Sequence, residues 1–84
     1  MKNGYHEGTI GIPAENGKSK IAHYWVKAFQ KPSQWGIDNG RISKLTVRID
    51  GKITIRYDSG WEVEPSEDDM ESMVAYKILM MKYN

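Results

Sequence analysis

Four cations stand four residues apart, Lys44, Arg48, Lys52 and Arg56, in this chain of 84 residues. Each belongs to an alternating run. Ser43, Leu45 and Val47 alternate with Lys44, Thr46 and Arg48, and Ile53, Ile55 and Tyr57 alternate with Lys52, Thr54 and Arg56. Period-two alternation rich in β-branched residues marks half-buried strands, so the cations are expected to share one face of a hairpin. The run Lys20 to Phe29 adds His23, Trp25 and Lys27 at the same period. Cations interleaved with aromatic rings on a sheet are the parts of a platform for single-stranded nucleic acid: charges track phosphates while rings stack on bases. The plainer alternative is a basic face whose long side chains splay into water.

The residues for catalysis are largely missing. The chain has two histidines, His6 and His23, and neither stands in a metal-ligand or catalytic spacing. It contains no nucleophile elbow, P-loop or dinucleotide fingerprint. With no cysteine, disulfides, cysteine-ligated zinc and thiol catalysis are excluded. The acidic group Glu62, Glu64, Glu67, Asp68, Asp69 and Glu71 lacks the ligand spacing and glycine of a calcium loop, so helix capping and solvation explain it better. A non-enzymatic protein is expected, with no catalytic residue, metal or cofactor.

The elements that position the cations start with the hairpin, Arg41 to Trp61. Asp50-Gly51 first reads as a two-residue type I′ turn. That turn would pair Val47 with Thr54 and Ile49 with Lys52, mixing apolar and polar residues on each face. A three-residue loop, Ile49-Asp50-Gly51 with a bulge at Gly51, restores the faces, and this register is the one expected. It pairs Arg48 with Lys52, Thr46 with Thr54 and Lys44 with Arg56, and on the other face Val47 with Ile53, Leu45 with Ile55 and Ser43 with Tyr57. Two like-charge pairs directly opposite cost roughly 0.2–1 kcal/mol each, which an anionic ligand, an acidic partner or the chain's own acidic segment would offset.

Before the hairpin, Met1 to Gly4 is expected to fray. Tyr5 to Ile12 reads as a strand that Gly8 and Gly11 mark as an edge or bulge, with Pro13 ending it. Glu15-Asn16-Gly17-Lys18 is a turn signal, making Tyr5–Lys27 the first hairpin. In Lys20 to Phe29 the small-residue face, Ala22, Tyr24, Val26 and Ala28, is placed against the helix, sending His23, Trp25 and Lys27 to the basic face. The reverse orientation would make Trp25 a core residue. Gln30 to Gly40 is a long loop in which Trp35 is expected to cap one end of the core, the alternative being a functional role.

After the hairpin, Asp58-Ser59-Gly60 turns the chain into Trp61 to Glu64, with Trp61 and Val63 facing the core, and Pro65 stops it. Ser66 reads as a helix N-cap with Asp69 completing a variant capping box, and Glu67 and Asp68 suit the positive end of the dipole. Met70 to Lys82 holds no Gly or Pro and is expected to be helical. Met70, Met73, Val74, Ile78 and Met81 form an apolar stripe. Tyr76, Met80 and Tyr83 widen it, and Leu79 lies nearly opposite. A helix covering a sheet needs an apolar arc of only about 100° or a little more. The surplus points to a second buried surface, a homo-oligomer contact at Tyr76, Leu79, Met80 and Tyr83, or else to cover by loop residues.

Composition fits one globular domain over residues 1–84, with 39% apolar and 27% charged residues. The formal charge is only +1, yet residues 18–56 carry nine Lys/Arg against two Asp/Glu, and residues 58–71 carry seven Asp/Glu and no Lys/Arg. This segregation suits docking on a charged partner. No apolar run reaches the roughly 18 residues of a membrane span, and the N-terminus lacks the apolar core of a signal peptide. Together with the lack of cysteine, this fits a cytoplasmic protein.

Three phrases, KSKIAHYWVK at Lys18–Lys27, GRISKL at Gly40–Leu45 and YDSGWEVEP at Tyr57–Pro65, resemble a small uncharacterised family of prophages and mobile elements of Gram-positive bacteria. The likeness runs from about Gly17 to the end of the chain. That family has no assigned activity, so the resemblance transfers no functional residue. What it implies is a setting in which small accessory proteins bind host proteins, nucleic acids or nucleotides.

The expected fold is α+β: an antiparallel sheet of four or five strands with the C-terminal helix packed on one face. Trp61, Tyr57, Leu45, Val47, Ile53, Ile55, Val74 and Ile78 are the expected core. The expected function is a binding module that presents a basic sheet face to a nucleic acid or nucleotide. The competing reading is a protein-interaction module that acts on a host protein.

Overall fold

The computed structural model describes residues 4–13 and 17–84. Five strands follow in chain order, β1 (Tyr5–Pro13), β2 (Ser19–Ala28), β3 (Ile42–Ile49), β4 (Lys52–Asp58) and β5 (Trp61–Val63), and then helix α1 (Met70–Tyr83). Each strand pairs antiparallel with its neighbour in sequence, giving the spatial order β1-β2-β3-β4-β5. The helix lies on one face of this meander, so the fold is α+β as the alternation and the helical run imply.

The central hairpin departs from the expected register. Asp50 and Gly51 have φ of 53° and 75°, the left-handed pair of a type I′ turn, and Ile49 pairs with Lys52. The chain keeps the two-residue turn and absorbs the mismatch further along. Arg48 pairs with Ile53 and Val47 with Ile55, leaving Thr54 as the extra residue of a bulge. Beyond the bulge, Leu45 faces Tyr57, Thr46 faces Arg56 and Lys44 faces Asp58. The pairs Arg48–Lys52 and Lys44–Arg56 do not form. Ile53, expected in the core, stands opposite Arg48 and is 41% exposed. Thr54 Oγ1 is buried without a protein hydrogen-bond partner, a cost attached to the bulge.

The covered face holds Ile12, Ala22, Tyr24, Val26, Leu45, Val47, Ile55 and Tyr57, all buried. The small-residue face of β2 is thus turned inward, and Tyr24 needs one further concession. A Cβ on Gly8, its partner on β1, would lie 2.8 Å from the Tyr24 hydroxyl, so Gly8 makes room for the ring. Tyr24 Oη then lies 3.1 Å from Tyr83 Oη at the end of the helix. This hydrogen bond, and secondly burial, holds the Tyr24 phenol above the ordinary tyrosine range. Contrary to the expected fraying, Gly4 is pinned: its carbonyl accepts a bond of 2.9 Å from Ala28 N–H. Met1 to Asn3, also expected to fray, lie outside the described residues. So do Glu15 and Asn16 of the expected turn, in which Gly17 has the left-handed φ of 73°.

The helix presents Ser72, Ala75 and Leu79 to the sheet, all fully buried. Spacing of three and four places them on one face, and two small side chains let the helix approach the large residues below. The methionine stripe is therefore not the buried face. Met70 is 74% and Met81 88% exposed, and Ile78, expected in the core, is well exposed too. Leu79, placed on the far side by the stripe, is core, while Val74, Tyr76, Met80 and Tyr83 are half-buried against it. Trp61 is also partly exposed and packs beside Tyr57 and Tyr76, with ring centroids 5.0 and 5.8 Å away.

The helix starts one turn later than Ser66 implies. Asp69 is the N-cap: its carboxylate accepts from Ser72 N–H at 3.1 Å and from Ser72 Oγ–H at 2.6 Å. Ser66 instead accepts from Asp68 N–H in the preceding turn. Lys20 ties this end of the helix to the hairpin, with Nζ 2.8 Å from Asp50 and 3.3 Å from Glu71. Those two bonds, Asp50 first, hold its ammonium above the usual lysine range.

At the other end, the side chain of Asn84 closes the long loop. Its Nδ2 donates to Ile37 C=O at 3.1 Å and its Oδ1 accepts from Ile42 N–H at 2.9 Å. Ile37, in the tight turn Ile37–Asn39, is the loop residue that enters the core. Trp35 does not cap it: the indole is 61% exposed, and the backbone is what is engaged, the carbonyl accepting from the Tyr57 hydroxyl at 2.7 Å and the N–H donating to Ser33 Oγ at 3.1 Å.

Two outcomes test these ends. Asn84→Ala leaves the buried Ile42 N–H without its partner, at about 1–3 kcal/mol, while the Ile37 carbonyl keeps its bond of 2.8 Å from Gly40 N–H. A loss of about 1–3 kcal/mol is expected in urea unfolding. At the other end, Ser72 holds the Asp69 carboxyl below its ordinary value. A lowered folded-state value contributes stability that is complete above the unfolded value, about 3.9, and is lost as pH falls through the folded one. The stability difference between the wild type and Asp69→Asn should therefore shrink from about pH 6 to about pH 2; a constant difference would refute the charged cap.

Candidate functional site

The face of the sheet opposite the helix is built by the other half of each alternation. Because paired residues share a face, β1 contributes Tyr5, Glu7 and Thr9, β2 contributes His23, Trp25 and Lys27, and β3 contributes Lys44, Thr46 and Arg48. Past the bulge, β4 adds Arg56 and Asp58, and none of these side chains is buried. Six of the seven expected anion-binding residues, His23, Trp25, Lys27, Lys44, Arg48 and Arg56, thus lie together. Lys52 does not: opposite Ile49, it sits on the margin of the helix side. The like-charge neighbours on this face are Lys27 and Lys44, paired across β2 and β3.

The cations differ in what they already hold. Arg56 Nε donates to Glu62 at 2.7 Å, and Lys44 Nζ lies 3.9 Å from Asp58. His23 Nε2 is 3.6 Å from Glu7. Among the described residues, neither Arg48 nor Lys27 has a carboxylate partner. Each lies over aromatic rings instead. The Arg48 guanidinium is 5.4 Å from the Trp25 ring centre, and Lys27 Nζ is 5.3 Å from that of Tyr5 and 5.2 Å from that of Phe29.

Trp25 is at the centre. Its ring stacks on His23, with centroids 4.9 Å apart and planes 7° from parallel. Lys27 follows it by one alternation, and Arg48 stands across from His23. At two residues of strand each, the positions of His23 and Lys27 lie about 7 Å to either side of Trp25. Beside the indole is a shallow depression of about 220 Å³, lined by Tyr5, Trp25, Lys44, Thr46, Arg56 and neighbouring atoms of Tyr57 and Asp58. The face therefore offers a half-exposed indole, two cations without acidic partners and a concavity with both donors and acceptors.

Alternation alone places the four hairpin cations on one face. The structure separates Arg48 from Arg56 and Lys44, and removes Lys52. The carboxylates responsible come from β5 and the end of β4, whose register cannot be read without the bulge. Of the residues expected at an oligomer contact, Leu79 is buried under the helix, and Tyr76, Met80 and Tyr83 pack toward the sheet. The exposed apolar surface of the helix is Met70, Ile78 and Met81 instead. Among the described residues no three His, Asp or Glu side chains converge as metal ligands, and no helix is long and apolar enough to cross a membrane.

Residues 4–84 match a family described as a domain of unknown function, DUF7678, and the chain belongs to that family. The match extends across β1 as well as the region from Gly17 onward. No curated protein and no solved structure matches the chain.

Proposed function

We propose that the open sheet face is a non-enzymatic binding surface for single-stranded nucleic acid, with Trp25 as its stacking platform. The observation that carries this reading is the set of Trp25, stacked on His23, and the two cations lacking acidic partners, Arg48 and Lys27. An indole held by its neighbours takes a base on its free area without further ordering, and the cations meet the flanking phosphates. Arg56 and Lys44 contribute less, because a phosphate must compete there with Glu62 and Asp58. Two phosphates neutralised on a single strand give a shallow salt dependence, with a log–log slope of about −1.4. A modest, sequence-tolerant affinity follows.

A second reading has its own observation. Met70, Ile78 and Met81 leave an apolar, adaptable strip on the helix, the kind of surface that binds protein partners. In the mobile-element setting that the resemblance implies, that partner would be a host protein in the cytoplasm. The two surfaces lie on opposite sides of the molecule, so mutations separate them.

The test is a titration of the protein with an oligothymidylate, followed by fluorescence anisotropy of a label on the oligonucleotide. Trp25→Ala is expected to weaken binding about 5- to 150-fold, the range of one base–aromatic stack. Arg48→Glu should also weaken it, and Lys52→Glu should leave it within about twofold of the wild type. Equal losses at Lys52 and Arg48 would point to diffuse charge, and absence of binding at low salt would reject the reading. In that case, pull-down with a Met81→Glu control addresses the helix strip.

A further inference from the structure

The two edges of the sheet are built differently. β5 is three residues long, its register with β4 is interrupted, and Pro65 follows it. Those features prevent a further strand from adding. β1 is nine residues long and pairs with β2 in an unbroken register from Tyr5–Lys27 to Pro13–Ser19. It contains no lysine or arginine and no bulge, and its one proline is at its end. Among the described residues, no strand pairs with its outer side.

The register shows which backbone groups face outward. Ala28 N–H donates to Gly4 C=O, so the Tyr5–Lys27 pair does not exchange hydrogen bonds, and the pattern alternates from there. His6, Gly8, Ile10 and Ile12 are bonded to β2. Tyr5, Glu7, Thr9 and Gly11 point their N–H and C=O groups to the open side.

We infer that β1 is a dimerisation edge: a second copy of this chain adds antiparallel through its own β1, across a two-fold axis at Gly8. That register pairs Tyr5 with Gly11 of the second copy and Glu7 with Thr9, and uses every outward amide and carbonyl of those four residues. The neighbouring registers are worse. A shift by two residues in one direction sets Glu7 against Glu7, a like-charge pair. The opposite shift sets Tyr5 against Pro13, which has no N–H to give. At the axis two glycines meet, and Tyr5 lies across from a glycine that leaves its backbone uncovered. The product is one continuous sheet of twice five strands with both helices on one side. This dimer does not depend on what the open face binds, although it joins two such faces edge to edge.

Sedimentation equilibrium up to about 1 mM protein, with hydrogen exchange followed residue by residue, decides it. The expected result is a dimer in which the Glu7, Thr9 and Gly11 amides are slow at high concentration and fast on dilution. The Gly8, Ile10 and Ile12 amides should be slow throughout. Thr9→Pro removes an outward N–H while sparing the bonds to β2, and should give a monomer with native circular dichroism. A wild type that stays monomeric to that concentration would overturn the inference. So would a dimer that Thr9→Pro leaves intact, or one whose outward amides exchange equally fast at every concentration. Should Thr9→Pro fail to fold, the exchange pattern of the wild type still decides.

Discussion

The structure depends on a conflict between a turn and a face. Asp50-Gly51 favours a two-residue loop, because both positions take left-handed φ at little cost with this pair. The apolar residues of the two strands cannot then all point to the helix side. The conflict is resolved by one extra residue, Thr54, rather than by a longer loop. Everything beyond that residue follows. Ile55 and Tyr57 are returned to the core, Arg56 and Asp58 to the open face, and Ile53 and Lys52 exchange sides. The charges displayed on the open face are therefore set by a backbone irregularity in the interior of a strand.

The helix is fixed by its ends more than by an apolar stripe. Asp69 and Lys20 hold the first turn, and Asn84 holds the loop that closes the far end of the core. Between them, Ser72 and Ala75 bring the helix axis close to the sheet. Buried Ser72 carries no unmet polar cost, because its hydroxyl is bound by the cap residue. Large apolar side chains at those positions would hold the helix away from the sheet.

The strand pattern, the order of elements and the side of β2 that faces inward were legible from alternation and from the size of Ala22 and Ala28. So was the gathering of His23, Trp25, Lys27, Lys44, Arg48 and Arg56. The register of β4 was not, because Ile53 continues the alternation of Ile55 and Tyr57 and nothing in its type announces a bulge. The buried face of α1 was hidden for a different reason. Apolar residues surround the helix, so periodicity chooses no side, and the choice falls to small residues that carry little hydrophobic signal. Ser66 and Asp69 both suit a cap, and only the reach of Asp69 to Ser72 distinguishes them. The role of Asn84 depends on Ile37 and Ile42, which are more than forty residues away.

The meander separates short-range from long-range order. Every strand pairs with its neighbour in sequence, so the sheet grows by successive hairpins whose loop-closure entropy is small. The contacts that span the chain belong to the helix: Lys20 to Glu71 across 51 residues, Tyr24 to Tyr83 across 59 and Asn84 to Ile37 across 47. In kinetic terms the contact order of the domain is concentrated in one element. Folding is thus divided between a sheet that assembles locally and a single docking event, in which α1 closes the largest loops of the chain.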